Sequence, residues 1–261
     1  SGSSTGSTTG GSLGSMALGL FSSLIVGLIL EQIGSKLGIS TLIELGWVAK
    51  LLMGPAIGIA VAYGRKAPAL VVFSSAVTGA IGAGTIFVNN AGQYGIRIGE
   101  PMGAFVAAVV GIEVGRIIAG KTKVDIVLVP SSVIIAGGIA GKYISPVVSA
   151  IMSALGSIIN TATVMKPIPM GILVSVIMGM LLTLPISSAA VAIGLGLKGL
   201  AGGAATVGCC AQMVGFAVAS YRENKVGGLI AQGIGTSMLQ MPNIIRSPMI
   251  WIPPTLASAI L

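Results

Sequence analysis

Pro68-Ala-Leu-Val-Val-Phe-Ser-Ser-Ala-Val-Thr-Gly-Ala-Ile-Gly-Ala-Gly-Thr-Ile-Phe-Val88 is a run of 21 residues without a single charge. A helix crossing the hydrocarbon core of a bilayer needs about 20 apolar residues at about 1.5 Å each, and this run has that length. Outward in both directions the same kind of stretch recurs: Met16–Leu30, Leu42–Tyr63, Gly103–Ile118, Ile126–Ala140, Ser145–Val164, Met170–Leu184, Ala201–Ala219, Gly227–Leu239 and Met249–Leu261. The pattern predicts an all-α polytopic membrane protein of about ten membrane segments, some too short to span. Composition agrees. Charged residues make up 8% and mean hydropathy is +1.02, whereas a soluble domain carries about 25% charge to keep its surface wet. Polar residues also interrupt the apolar runs, which points to a protein that moves something across the membrane and not to a simple anchor.

Residues 1–15 (SGSSTGSTTGGSLGS) offer almost no apolar surface to bury, and read as a flexible linker or tag remnant. Residues 16–261 read as one transmembrane permease domain. The chain stops inside the apolar run Ala257–Leu261. A free carboxylate at bilayer depth is costly, so the natural protein is expected to continue, the sequence here being truncated at its C-terminal end.

The net charge of +8 is carried in short basic clusters, Arg65–Lys66, Arg116/Lys121/Lys123 and Arg222/Lys225. That is a positive-inside signature, and no nucleic-acid partner is expected. Two predicted segments separate the first two clusters and about four separate the second and third. Even counts put all three, and the N-terminus, on the cytoplasmic side. Glu113 and Arg116 stand at i, i+3 and can neutralise each other. Glu31, Glu44 and Lys50 are expected to reach the interfaces. Cys209 and Cys210 are adjacent in an apolar segment and read as small packing residues. With no histidine and no CxxC spacing, no metal and no cofactor are expected.

Glycine, at 40 residues, lets helices approach closely in lipid. Ala60-Val-Ala-Tyr-Gly-Arg-Lys66, leading to Ile81–Thr85, is faintly matched by Ala217-Val-Ala-Ser-Tyr-Arg-Glu-Asn-Lys225, leading to Gly233–Thr236. Three stretches combine glycine or proline with polar groups. Asn89–Gly103 holds Asn89, Asn90, Gln93 and Glu100, the last just before Pro101, where a carboxylate could accept two sugar hydroxyl hydrogen bonds. Ser157–Gly171 offers Asn160, Thr161 and Thr163 before Pro167 and Pro169. Gln232–Pro254 carries Gln240, Asn243 and Arg246 among four prolines and is expected to contain a re-entrant turn near Pro242–Arg246, since no helix passes undistorted through Pro242 and Pro248. These ten residues are the expected substrate-binding set, and no catalytic residue is assigned.

The wording IGEPMGAF (98–105), NTATVMKPIPMGILVS (160–175) and MPNIIRSPMIWIPPTLASAI (241–260) resembles the membrane-permease (EIIC) family of the bacterial phosphotransferase system. It is most similar to the stand-alone EIIC-like group that lacks fused EIIA and EIIB domains, from about Met16 to Leu261. The resemblance implies a homodimeric sugar permease of the bacterial inner (plasma) membrane, with re-entrant hairpins and an elevator-type movement. In the glucose-type branch a Glu-Pro pair lies at the sugar site, and Glu100-Pro101 is similar. Phosphotransferase relays pass phosphoryl groups through His and Cys of soluble domains. This chain has no His, so it is at most the permease component, with separate EIIA/EIIB phosphoryl-carrier proteins as partners. The alternative is an ion-coupled secondary transporter or exporter of a small organic compound, without phosphorylation.

Overall fold

The computed structural model describes residues 5–89, 92–184, 188, 197 and 199–261. Its contacts divide the chain into two units, 1–148 and 149–261. Among the described residues, regular structure is helical apart from one two-stranded antiparallel hairpin.

In the first unit α1 (Thr5–Leu20) runs through a π-helical turn (Phe21–Ile25) into α2 (Val26–Leu37). The turn is wide because the hydroxyls of Ser22 and Ser23 both bond the carbonyl of Gly19, at 3.2 and 2.7 Å. The helix takes in residues that composition alone assigns to a flexible leader, and Ser12 and Leu13 are buried. α2 packs on α3 (Ser40–Leu51) through facing glycines: a Cβ at Gly46 would lie 2.5 Å from the carbonyl oxygen of Gly27. In this seam Lys50, only 7% exposed, is ion-paired with Glu31. The two side chains find each other across the helix pair.

α3 meets α4 (Met53–Gly64) at a bend of 56°. Pro55 accounts for it, since its ring would clash with the carbonyl of Leu51 in a continuous helix. α4 lies on α5 (Ala69–Ala83) so closely that a Cβ at Gly58 would collide with the carbonyl of Ser75. The opening run does not stay helical to Val88. Gly84 turns left-handed (φ +66°) and caps α5. The β-branched and aromatic residues beyond it form β1 (Ile86–Val88), paired with β2 (Tyr94–Ile96) in the register Ile86↔Ile96, Phe87↔Gly95, Val88↔Tyr94. α6 (Pro101–Ile118) follows. Its Glu113 receives both Arg116 (3.6 Å) and Arg65 from the end of α4 (3.1 Å). Asp125 then caps the basic loop, accepting from the backbone of Gly120 and from Thr122.

α7 (Asp125–Thr163) joins the two expected segments Ile126–Ala140 and Ser145–Val164 in one helix. In the second unit α8 (Pro167–Thr183) packs on α9 (Gly199–Ala219), and a Cβ at Gly208 would collide with the carbonyl of Ser175. Ile159, Met170, Val174, Met178, Leu181 and Ala205 form the apolar centre. Cys209 lies against it, its thiol 3.6 Å from the carbonyl of Met178. Beyond α10 (Tyr221–Ile230) come a π turn (Ala231–Gly235), an extended Thr236, a 3₁₀ turn (Ser237–Gln240), α11 (Met241–Arg246), a second 3₁₀ turn (Pro248–Trp251) and α12 (Ile252–Ile260). The chain breaks at Ser247, immediately before Pro248, while Pro242 is accommodated in the first turn of α11, where its missing N–H is harmless.

Among the described residues four helices are long and apolar enough to cross a membrane, or five if the bent α3–α4 pair is one span; three apolar helices are shorter. The sequence count of about ten includes segments too short to span and divides α7, which is one helix. Large apolar side chains stand on the outside throughout, among them Phe73, Ile126, Ile168 and Val218, as suits a chain whose solvent is lipid.

Candidate functional site

The backbone of Glu100 is tied to the end of α5. Gly99, left-handed at φ +79°, lies against the carbonyl of Ala83, and the Glu100 N–H donates to that same oxygen at 2.9 Å. Only glycine fits there: a side chain would collide with the end of α5. The returning strand is stitched down beside it. Arg97 donates its N–H to the Thr85 carbonyl (2.8 Å) and its Nε to the Gly84 carbonyl (2.9 Å), and its guanidinium lies 5.2 Å from the Phe87 ring centre. Pro101 forces Glu100 into extended backbone (φ −111°, ψ 127°) and starts α6. The half-buried carboxylate therefore stands at the positive end of an apolar helix.

Asn89 and Gln93 lie at the other end of the hairpin, beyond three paired residues. Both are exposed, and they bond each other: Asn89 Nδ2 donates to Gln93 Oε1 (3.2 Å), and the Gln93 N–H donates to Asn89 Oδ1 (2.8 Å). Their amides shape the turn. Asn90 lies outside the described residues.

Asn160, Thr161 and Thr163 come together on the last turn of α7, the first two exposed and the third half-buried. Thr161 Oγ1 donates to Ser157 O (2.9 Å) and Thr163 Oγ1 to Asn160 O (2.7 Å). Their hydroxyl hydrogens are spent on helix carbonyls, which leaves their lone pairs as acceptors.

The second unit also carries a continuous row of side-chain amides. Asn243 Nδ2 donates to Gln240 Oε1 (2.8 Å), Gln240 Nε2 to Gln232 Oε1 (2.9 Å), and Gln232 Nε2 to Ser220 Oγ (3.0 Å). Gln232 and Gln240 are 3% and 4% exposed, while Asn243 is exposed. Gln240 and Asn243 were expected; Gln232 and Ser220 join them only through the π turn, whose wider winding rotates Gln232 inward. Nothing in the sequence spacing announces that rotation. Arg246 is exposed at the end of α11, apart from this row.

Chemically, the expected residues of the first unit offer a carboxylate and the amides of Asn89 and Gln93, and those of the second a set of amide and hydroxyl groups. Such groups bind hydroxylated neutral molecules, a carboxylate taking hydroxyl hydrogens and amides serving either role. A family model described as "Phosphotransferase system, EIIC" matches residues 11–261. No curated protein and no solved structure matches the chain.

Proposed function

This chain belongs to the EIIC family of the phosphotransferase system, and on that footing we propose that it is the permease through which a sugar or similar small polar metabolite crosses the membrane. It is a multi-pass membrane protein. In this reading it works as a homodimer in the bacterial inner membrane, by an elevator-type movement, with separate EIIA and EIIB carriers supplying phosphoryl groups. The substrate-binding residues proposed are Glu100, Asn89, Asn90 and Gln93 in the first unit and Asn160, Thr161, Thr163, Gln240, Asn243 and Arg246 in the second.

The observation that carries this reading is the seating of Glu100. The backbone of residue 100 is tied to the end of α5 and Pro101 starts an apolar helix beside it, so the chain holds a carboxylate in a fixed place, as recognition of a hydroxylated molecule requires. The cytoplasmic placement of the N-terminus rests on the basic cluster Arg65–Lys66, with the apolar helix Ser12–Leu37 and the bent pair α3–α4 taken as two passes before it.

Uptake of labelled hexoses into proteoliposomes tests the proposal. Uptake that requires a phosphorylated carrier protein is expected. Uptake driven by an ion gradient alone, with no partner protein, would establish the ion-coupled transporter instead.

A further inference from the structure

The row Ser220–Gln232–Gln240–Asn243 has a direction. Each amide donates toward Ser220 and accepts from the Asn243 side. Turning Asn243 alone would face its oxygen against Gln240 Oε1, two acceptors with no hydrogen between them, on a glutamine that is itself only 4% exposed. The Asn243 amide is therefore held with Nδ2 inward and Oδ1 outward. Gln240 can hold it only while its own Nε2 has an acceptor, and that acceptor is Gln232 Oε1, at 2.9 Å. Gln232 owes its position to the π turn Ala231–Gly235, a winding that recurs at functional sites.

We propose that Gln232 is a positioning residue for substrate recognition: through Gln240 it fixes the Asn243 amide so that the second unit presents an acceptor to a substrate hydroxyl. This rests on the reading above, in which Asn243 touches the substrate. Gln232 is buried and makes no contact with substrate itself. The row ends on Ser220, whose hydroxyl can donate or accept, so a neutral carboxylic acid at position 232 can replace the glutamine: it still accepts from Gln240 and donates to Ser220.

The chain contains five asparagines, so selective ¹⁵N-asparagine labelling of the full protein in detergent gives a short list of side-chain amide signals, with Asn243 identified by Asn243→Ala. In Gln232→Met that signal is expected to shift or split while the other four stay, and in Gln232→Glu at acidic pH it returns. Thermal shift with D-glucose, D-galactose, D-fructose and D-mannitol supplies the second readout. Both Asn243→Ala and Gln232→Met should bind the best of these roughly three- to tenfold more weakly than wild type, the loss expected for one neutral hydrogen bond. An unmoved Asn243 signal in Gln232→Met overturns the positioning role even if Asn243→Ala weakens binding. A moved signal with undiminished binding in Asn243→Ala overturns the substrate contact itself. No shift with any of the four compounds overturns the sugar-binding reading on which the proposal rests.

Discussion

The two units keep polar groups inside apolar surroundings by different means. Besides buried hydroxyls bonded to helix carbonyls (Ser74, Ser75, Thr78), the first uses ion pairs: Glu31 with Lys50 between α2 and α3 and, about half exposed, Glu113 with Arg65 and Arg116 between α4 and α6. The second, among its described residues, uses amides and hydroxyls. Thr183 and Ser237 lie 3.0 Å apart, the Ser175 hydroxyl donates to the Ser258 carbonyl, and the Gln212 amide, with its oxygen toward Trp251, accepts from Trp251 Nε1 at 2.6 Å. An ion pair has one partner and one sign; loss of either side strands a charge. An amide can donate or accept, so an amide row tolerates rearrangement but carries directional information. Rigid support is the better use of the first device, and recognition the better use of the second.

The largest effect expected from this contrast is at Lys50. Removing it alone, as Lys50→Met, strands the partly buried Glu31, 26% exposed, beside apolar helices and should cost about 3 kcal/mol, the low end for a buried pair. The double replacement Glu31→Leu/Lys50→Met should recover most of that loss. Denaturation of detergent-solubilised variants measures both. Equal destabilisation by the single and double variants would mean that the pair is not the buried support described.

In the second unit Gln212→Leu removes the partner of Trp251 Nε1 without stranding a charge. The expected cost is about 1–3 kcal/mol, that of one buried unpaired donor. A loss as large as that of Lys50→Met would erase the distinction between the units.

The smallest effect belongs to Arg116, whose pair with Glu113 is roughly half exposed on both sides. Arg116→Ala should cost less than about 1 kcal/mol, because Arg65 still pairs with Glu113 at 3.1 Å. Melting temperatures of the two arginine variants would show Arg65 as the costlier loss.

Much of this was legible in the sequence, and the exceptions have physical causes. Apolar runs disclosed helices and a membrane setting, and Glu113 with Arg116 was readable because i, i+3 is a local relation. Glu31 and Lys50 were not, since 19 residues separate them and only the packing of Gly27 on Gly46 brings them together. The end of α5 was written in Gly84-Thr85-Ile-Phe-Val88, a glycine cap followed by strand-forming residues, but hydropathy counts those residues the same in helix or strand. Lys66 and Lys225, which close the two faintly similar stretches, are the non-glycine residues with positive φ among those described (54° and 51°). The likeness there extends to the turn itself. The row from Ser220 to Asn243 was hidden because a π turn, an extended Thr236 and a 3₁₀ turn each reset the helical phase. Spacing cannot be followed through three changes of winding.

Glu100→Gln, assayed for sugar binding and for thermal stability in the same preparation, tests the central claim most directly. The backbone bonds that seat residue 100 survive the change, as does the start of α6. Stability should therefore hold, while affinity for the best monosaccharide falls by about 1–3 kcal/mol, the worth of a charged hydrogen bond. Undiminished affinity in that variant would contradict the account and leave Glu100 as the cap of a helix and nothing more.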